Sequence, residues 1–219
     1  MDIKLQDKTE TQIIKDTRQS YFLTEVPALH NLRYEVSENT EFELTIVDFL
    51  SDPIDLSIDV VLKKGAKANI YLASLNSGHN NKVYKIDIDH EEENTYSRTT
   101  MSGINAGDGL LRFLGSSYIK NGAHKSDTRQ EGKITNLSDK AHSEVSPSLL
   151  IKDNDVKASH GAALGAYDPK VLFYLMSRGL TLSESKKLIT FGSLLPIINR
   201  LGDEKNREDA KKALGELSL

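Results

Sequence analysis

Apolar residues recur at every second position through much of the chain, and this pattern predicts β-strands. In the clearest run they are Ile54, Leu56, Ile58, Val60 and Leu62. Weaker alternation covers residues 42–46, 66–72, 84–88 and 111–113. Turn residues such as Gly65 and Gly122 separate the runs, and no helical pattern interrupts them between about residues 40 and 165. The stretch is therefore predicted to be all β, as a sandwich, a barrel or a β-helix. Because no fixed repeat is visible, a β-helix would be irregular.

After residue 165 the pattern becomes helical. Asp168 can cap a helix whose first residue is Pro169, a position that needs no amide hydrogen. Residues 171–177 are apolar almost all round, which predicts a helix buried on several sides and ended by Gly179.

Two further helices are predicted. Thr181 and Glu184 have the spacing of a capping box, so a helix should run from there to about Phe191. Asp203 can cap a last, exposed helix through Leu214. Between them, four apolar residues have the spacing of one helical face. These are Leu194, Ile197, Ile198 and Leu201. The chain is therefore predicted to be mainly β with an α tail.

The predicted domain organisation has three parts. Residues 1–35 form an ambiguous N-terminal segment, for which a short helix near Glu10–Gln19 is one interpretation. Residues 36–166 form the β body, and residues 167–219 form a C-terminal helical domain.

Composition excludes several functional classes. The 219 residues carry a formal net charge of −4, which provides no basic face for nucleic acid. The chain has no cysteine, so it forms no disulfide and offers no thiolate to zinc or to an iron–sulfur cluster. The sequence starts without a signal-peptide pattern, and no apolar run reaches the roughly 18 residues of a membrane helix. We therefore expect a cytoplasmic protein.

His160, which stands next to Gly161, is the main candidate for a functional residue. No phosphate-loop sequence accompanies it, and Ser159 cannot share a proton with it because neighbouring side chains of a strand point to opposite faces. A strand over residues 156–160, ended by Gly161, would make His160 a structural histidine near a turn. Asp87 and Asp89 share a strand face, as glycosidase carboxylates could, but the sequence has no tryptophan for sugar stacking.

The segment around His160 resembles the SufB/SufD family of iron–sulfur cluster assembly scaffolds. Residues 153–162 read DNDVKASHGA and residues 172–180 read LFYLMSRGL, similar to the family patterns DDVKCSHGA and LFYLRSRGI. Looser similarity extends through residues 124–151 and 60–73. The resemblance covers about residues 40–215 and is closer to SufD than to SufB.

This resemblance implies a right-handed parallel β-helix followed by a C-terminal helical subdomain, and a scaffold that is not an enzyme. It also implies a SufC-type ABC ATPase partner bound through the C-terminal helices, and a SufB-type or identical subunit bound through the β-helix. We expect Arg178, Leu194 and Ile198 to contact the ATPase partner. Family members are usually longer and begin with a helical domain that this sequence does not show.

Ala158 occupies the position of the family's cysteine. A cysteine and a histidine two residues apart on one strand face would be adjacent metal ligands, whereas Ala158 supplies none. The resemblance therefore implies that His160 acts as a ligand only at a subunit interface, where a transient iron–sulfur cluster takes its other ligands from a partner. This chain alone is expected to bind no cofactor. The alternative is a family member with a structural or regulatory role in the ATPase complex and no cluster contact.

Overall fold

The computed structural model describes residues 11–15, 17–27 and 31–216, and in these residues twelve β-strands precede three α-helices. The strands are β1 (Thr11–Ile14), β2 (Thr17–Leu23), β3 (Asn31–Val36), β4 (Glu41–Asp48), β5 (Ile54–Leu62), β6 (Lys67–Asn76), β7 (Lys82–His90), β8 (Tyr96–Asn105), β9 (Leu110–Ile119), β10 (Asp127–Asn136), β11 (His142–Ile151) and β12 (Lys157–Ala166). The helices are α1 (Pro169–Ser177), α2 (Leu182–Ile198) and α3 (Glu204–Gly215).

The strands form two six-stranded parallel sheets. The odd-numbered strands lie side by side in the order β1-β3-β5-β7-β9-β11, and the even-numbered strands form the second sheet in the order β12-β10-β8-β6-β4-β2. Successive strands therefore alternate between the sheets, and each strand pairs with the strand two places later. This is the winding of a parallel β-helix, so the predicted fold class is confirmed. Its right-handed sense stays a prediction.

The turns of the β-helix differ in length, which explains why the sequence shows no fixed repeat. Thr11 pairs with Arg33, 22 residues later, whereas Leu110 pairs with His142, 32 residues later. The strands stay in register because the extra residues lie in the corners between them.

The two sheets also include the segment that the sequence left ambiguous. β1 pairs with β3, and β2 pairs with β4. Ile14 and Leu23 are buried against the core. A short helix near Glu10–Gln19 is therefore wrong for the described part of that range, because pairing with the next turn satisfies the backbone. Glu10 and Asp16 lie outside the described residues.

Alternate residues of the strands point into the space between the two sheets and fill it. In β5 the inward residues Ile54, Leu56 and Ile58 are buried, which confirms the alternation seen in the sequence. The rings of Tyr34 and Phe42 lie 4.8 Å apart between their centroids, within the range of favourable aromatic pairs.

A buried ion pair lies at one corner of this interior. Lys82 is fully buried at the start of β7, and its Nζ donates to Asp48 Oδ2 at 2.7 Å. The same ammonium donates to the carbonyl oxygens of Leu50 at 2.5 Å and Leu75 at 2.9 Å, so its three hydrogens have acceptors. Tyr84 donates to the same carboxylate oxygen of Asp48. Burial lowers the pKa of Lys82, and the neighbouring Asp48 opposes this effect.

The three helices begin at the predicted caps. Asp168 accepts from the amide of Lys170 at 2.8 Å, and Asp203 accepts from that of Asn206 at 2.8 Å. Thr181 forms the predicted capping box at the start of α2. That helix does not end near residue 191 as predicted but continues to residue 198. Among the described residues, no helix is long and apolar enough to cross a membrane.

Candidate functional site

The last turn of the β-helix has free edges on both of its strands. Among the described residues, β11 pairs with β9 alone and β12 pairs with β10 alone. Large apolar side chains of this turn are exposed, with exposed fractions of 56% for Leu150 and 50% for Leu164. We call residues 142–166, which comprise β11, β12 and the corner between them, the open turn.

The free edge of β11 is interrupted by a proline. In a parallel strand the backbone groups of alternate residues point to opposite sides. The amides of His142 and Lys152 bond to β9, so the odd-numbered residues between them present their backbone groups to the free edge. Pro147 is the middle one of these residues and has no amide hydrogen to offer.

The free edge of β12 has no such interruption. The amide of Lys157 bonds to Ser126 beside β10, so the even-numbered residues from Ala158 to Ala166 face the free edge. None of them is proline or carries a permanent charge. An uninterrupted, uncharged edge is a template for an added strand, so β12 is the more favourable edge of the open turn.

His160 lies in β12, in register with Gln130 of β10. Gln130 is buried between the sheets, and paired residues have their side chains on the same face, so His160 stands on the interior side of the open turn. The strand does not end at Gly161, as the sequence suggested, because β10 continues to pair with it through Ala166. Ala158 and His160 share a face, as predicted.

Among the described residues, His160 is not part of a three-ligand group. Within the described ranges, no group of three or more histidine, aspartate or glutamate residues is arranged to hold a metal ion. A ligand role for His160 stays a prediction.

Helix α1 is exposed, although its apolar sequence predicted burial on several sides. None of its residues is buried. It packs against α2 and leaves most of its circumference uncovered. The large apolar residues exposed in α1 and α2, here called the exposed helical residues, are Val171, Phe173, Tyr174, Met176, Leu182 and Leu188.

The three residues predicted to contact a partner lie in different environments. Arg178 is exposed at the end of α1, with its guanidinium carbon 5.2 Å from the centre of the Tyr174 ring. Leu194 and Ile198 are fully buried in a cluster that includes Ala73 of the even-numbered sheet. The expected contact of Leu194 and Ile198 with a partner is therefore corrected: their side chains attach α2 to the β-helix.

Asp87 and Asp89 lie in one groove of about 410 Å³ on the outer face of the odd-numbered sheet. Asp87 accepts from Ser116 at 2.6 Å and pairs with Lys85 at 2.6 Å. Burial raises the pKa of Asp89. Because Asp87 is already engaged by a cation and a hydroxyl, this arrangement does not favour the glycosidase interpretation.

Beneath the open turn, the interior of the β-helix contains polar side chains. Gln130, Ser117 and Thr128 are buried there and hydrogen-bonded in series. The series leads to His90, whose pKa burial lowers to about 4. The sequence reasoning missed this series of interior polar side chains. Its signal is visible as serine, threonine and glutamine at alternate positions of β8 to β10.

One known protein family has a domain model that matches this chain. The family model for the SufBD core domain of the SUF system of FeS cluster assembly matches residues 2–193. This match covers most of the chain, and the chain belongs to that family.

Curated relatives share shorter stretches with the chain. It is 43% identical over 89 residues to the iron-sulfur cluster assembly protein SufD of Bacillus subtilis, which covers 41% of this chain and 20% of that protein. It is 26% identical over 129 residues to SufD of Escherichia coli, covering 59% and 30%. An iron-sulfur cluster assembly SufBD family protein of Mycobacterium tuberculosis is 30% identical over 112 residues, covering 51% and 13%. The chain thus aligns with less than a third of each of these three relatives, and within the family it is close to SufD.

Proposed function

We propose that this chain is a SufD-like scaffold subunit of iron–sulfur cluster assembly that acts within a complex and is not an enzyme. One observation carries the proposal: a chain that matches the SufBD core domain over residues 2–193 exposes a sheet end and an apolar helix. Exposed apolar surface and free strand edges are typical of proteins that bind partners.

The exposed helical residues are the proposed docking surface for a SufC-type ABC ATPase. Phe173 and Tyr174 have exposed fractions of 75% and 56%, and Arg178 lies beside them. Aromatic residues and arginine supply much of the binding energy at protein interfaces. Leu194 and Ile198 support this surface indirectly, because they fix α2 against the sheet.

The open turn is the proposed contact with a SufB-type or identical subunit. A partner strand added to β12 would pair its free backbone groups and cover Leu164. The proline at position 147 makes an equivalent addition to β11 weaker.

A transient iron–sulfur cluster, as cargo of the complex, is proposed to contact His160 at that interface. A single imidazole cannot hold a cluster, so the partner would supply the remaining ligands. The second candidate function is structural or regulatory support of the ATPase without cluster contact. Ala158, which removes the neighbouring ligand position, favours this second candidate.

Substitution of His160 separates the two candidates. His160→Ala is expected to lower the yield of cluster reconstituted on a complex with SufB-type and SufC-type proteins by about ten-fold or more, as loss of a ligand-orienting contact does at metal sites. His79→Ala is the matched control, because His79 is an exposed histidine whose imidazole binds Asp108 in a corner. Equal yields from both variants, with ATPase binding retained, would establish the structural role.

Removal of one amide from the β12 edge is expected to weaken the subunit contact. Ala162→Pro deletes a donor that faces the free edge and leaves the bonds to β10 in place. The dissociation constant, measured by sedimentation for the chain alone and with a SufB-type subunit, should rise about ten-fold, which corresponds to about 1.4 kcal/mol.

Ala162→Ser is the control, because serine is also small and keeps the amide. If both variants bind equally well, the partner does not add a strand to β12.

A further inference from the structure

A continuous series of hydrogen bonds crosses the interior from the open turn to His90. Gln130 Nε2 lies 2.5 Å from Ser117 Oγ, which lies 2.9 Å from Thr128 Oγ1. Thr128 lies 2.7 Å from Ser97 Oγ, and Ser97 lies 2.9 Å from His90 Nε2. We call these five side chains the relay.

The Gln130 end of the relay determines which atoms donate. The amide nitrogen of Gln130 faces the backbone carbonyl of Ser148 at 3.4 Å, and a carbonyl can only accept. The nitrogen therefore donates to Ser117 as well. Each hydroxyl carries one hydrogen, so Ser117 donates a hydrogen bond to Thr128, Thr128 donates to Ser97, and Ser97 donates to Nε2 of His90. The opposite direction would leave the buried hydroxyl hydrogen of Ser117 without an acceptor.

The hydrogen bonds at the His90 end of the relay indicate the same direction of donation. Thr95 donates to the carbonyl of Glu92 at 3.3 Å, which uses its single hydrogen. Thr95 must therefore accept from Nδ1 of His90, 2.7 Å away, and from the hydroxyl of Ser126 at 2.6 Å. Both ends place the imidazole proton of His90 on Nδ1 and leave Nε2 as an acceptor.

The Gln130 amide lies directly against β9. A Cβ added to Gly115 would lie 2.7 Å from Gln130 Oε1, so a larger residue at position 115 would displace the amide. Its nitrogen also contacts β11 through Ser148, and its in-register neighbour in β12 is His160. Gln130 thus touches or adjoins both strands of the open turn.

We propose that the Gln130 amide sets the direction of the relay and thereby the tautomer of His90, which couples the open turn to the corner that carries Glu92. If a change in the open turn rotates the amide, Oε1 replaces Nε2 beside Ser117. Each hydroxyl then reverses. His90 loses the proton on Nδ1 to water and takes a proton from water at Nε2, and Thr95 then donates to Nδ1 instead of to the Glu92 carbonyl. The number of protons on the chain is unchanged. This coupling does not depend on the proposed cluster function.

The tautomer of His90 can be read directly from its two ring nitrogens. In protein labelled with ¹⁵N-histidine, long-range ¹H–¹⁵N spectra distinguish a protonated from an unprotonated nitrogen, and His90→Gln assigns the signals. The wild type should show a protonated Nδ1. A protonated Nε2 in the wild type would overturn the proposed direction.

Gln130→Glu tests the coupling, because an ionised carboxylate only accepts. Above the pKa of the introduced carboxyl, the signals of Nδ1 and Nε2 should exchange positions. Adding Thr128→Val, which breaks the relay, should cancel the effect of the carboxylate, so Thr128→Val should give the same spectrum with and without Gln130→Glu. Asp127 and Arg98, the charged groups that act on His90, form their own ion pair at 2.9 Å and are present in every variant.

A matched control and a second variant complete the test. Thr99→Val alters a buried side chain that is in register with Gln130 but outside the relay, so it should leave both signals unchanged. Gly115→Ala displaces the Gln130 amide without burying a charge and should shift both signals towards a mixture of tautomers. Unchanged signals in Gly115→Ala, or exchanged signals in Thr99→Val, would overturn the coupling, whether or not Gln130→Glu folds.

Discussion

Replacement of Lys82 by alanine is expected to lower the free energy of unfolding by about 3–5 kcal/mol, because it leaves a buried carboxylate without its cation. The carboxylate of Asp48 is fully buried and pairs with the ammonium of Lys82 at 2.7 Å. The carbonyl oxygens of Leu50 and Leu75 would lose their donor in the same variant. Urea denaturation followed by circular dichroism measures the change.

Lys85→Ala is the matched control for Lys82→Ala. Both lysines lie in β7 and both pair with an aspartate, but the Lys85 side chain is 51% exposed. Exposed ion pairs typically contribute at most about 1 kcal/mol, so this control should change stability little. Lys82→Met with Asp48→Asn removes both charges and should cost less than Lys82→Ala alone. Similar losses in Lys82→Ala and Lys85→Ala would show that the buried pair does not stabilise the corner.

Leu194→Ala is expected mainly to lower the stability of the chain, whereas Phe173→Ala is expected mainly to weaken partner binding. Leu194 is fully buried between α2 and the even-numbered sheet, so its truncation should cost about 2–5 kcal/mol. Phe173 is 75% exposed, so its truncation should change the stability of the isolated chain by no more than about 0.5 kcal/mol. Thermal denaturation of the isolated variants measures both values.

Binding to a SufC-type ATPase should show the reverse order. Phe173→Ala should weaken it by about ten-fold or more, because a large aromatic side chain is lost from the proposed interface. Leu194→Ala should weaken it only at temperatures at which the helices begin to detach from the sheet. Calorimetric titration well below the melting transition separates the two effects. If Phe173→Ala binds as the wild type does, α1 is not the docking surface.

The sequence predicted the strands of the β-helix better than their arrangement. The alternation at residues 54–62 reports a strand with one buried face, and β5 has these bounds. Pairing partners could not be predicted, because the offset between paired residues varies from 22 to 32 with the length of the corners. The strands near the N-terminus were missed because β1 and β2 are short and partly exposed.

The helical tail shows a different limit of sequence reasoning. Local hydrogen bonds define the caps, so Asp168, Thr181 and Asp203 could be identified from spacing alone. Burial depends on what else lies nearby. The apolar residues of α1 indicated a core helix, but the structure leaves them exposed. Leu194 and the three apolar residues that follow it indicated one buried helical face, and this face is covered by the sheet.

Only the local features of the candidate site could be predicted from the sequence. The position of His160 on a strand face followed from its sequence neighbours, but its place above Gln130 depends on a pairing 30 residues away. Serine and threonine at alternate positions are also common on exposed strand faces. The interior relay therefore becomes visible only when register assigns those positions to the inside.

The unequal corners determine where this chain can accept additional residues. An insertion between Asn105 and Leu110 would lengthen the corner between β8 and β9. It would leave the pairing of β8 with β10 and of β9 with β7 unchanged. One residue inserted within β9 would turn every later side chain of that strand to the opposite face, and would bring Ser116 inward in place of Ser117. Related sequences should therefore vary in length at the corners and keep the number of residues in each strand.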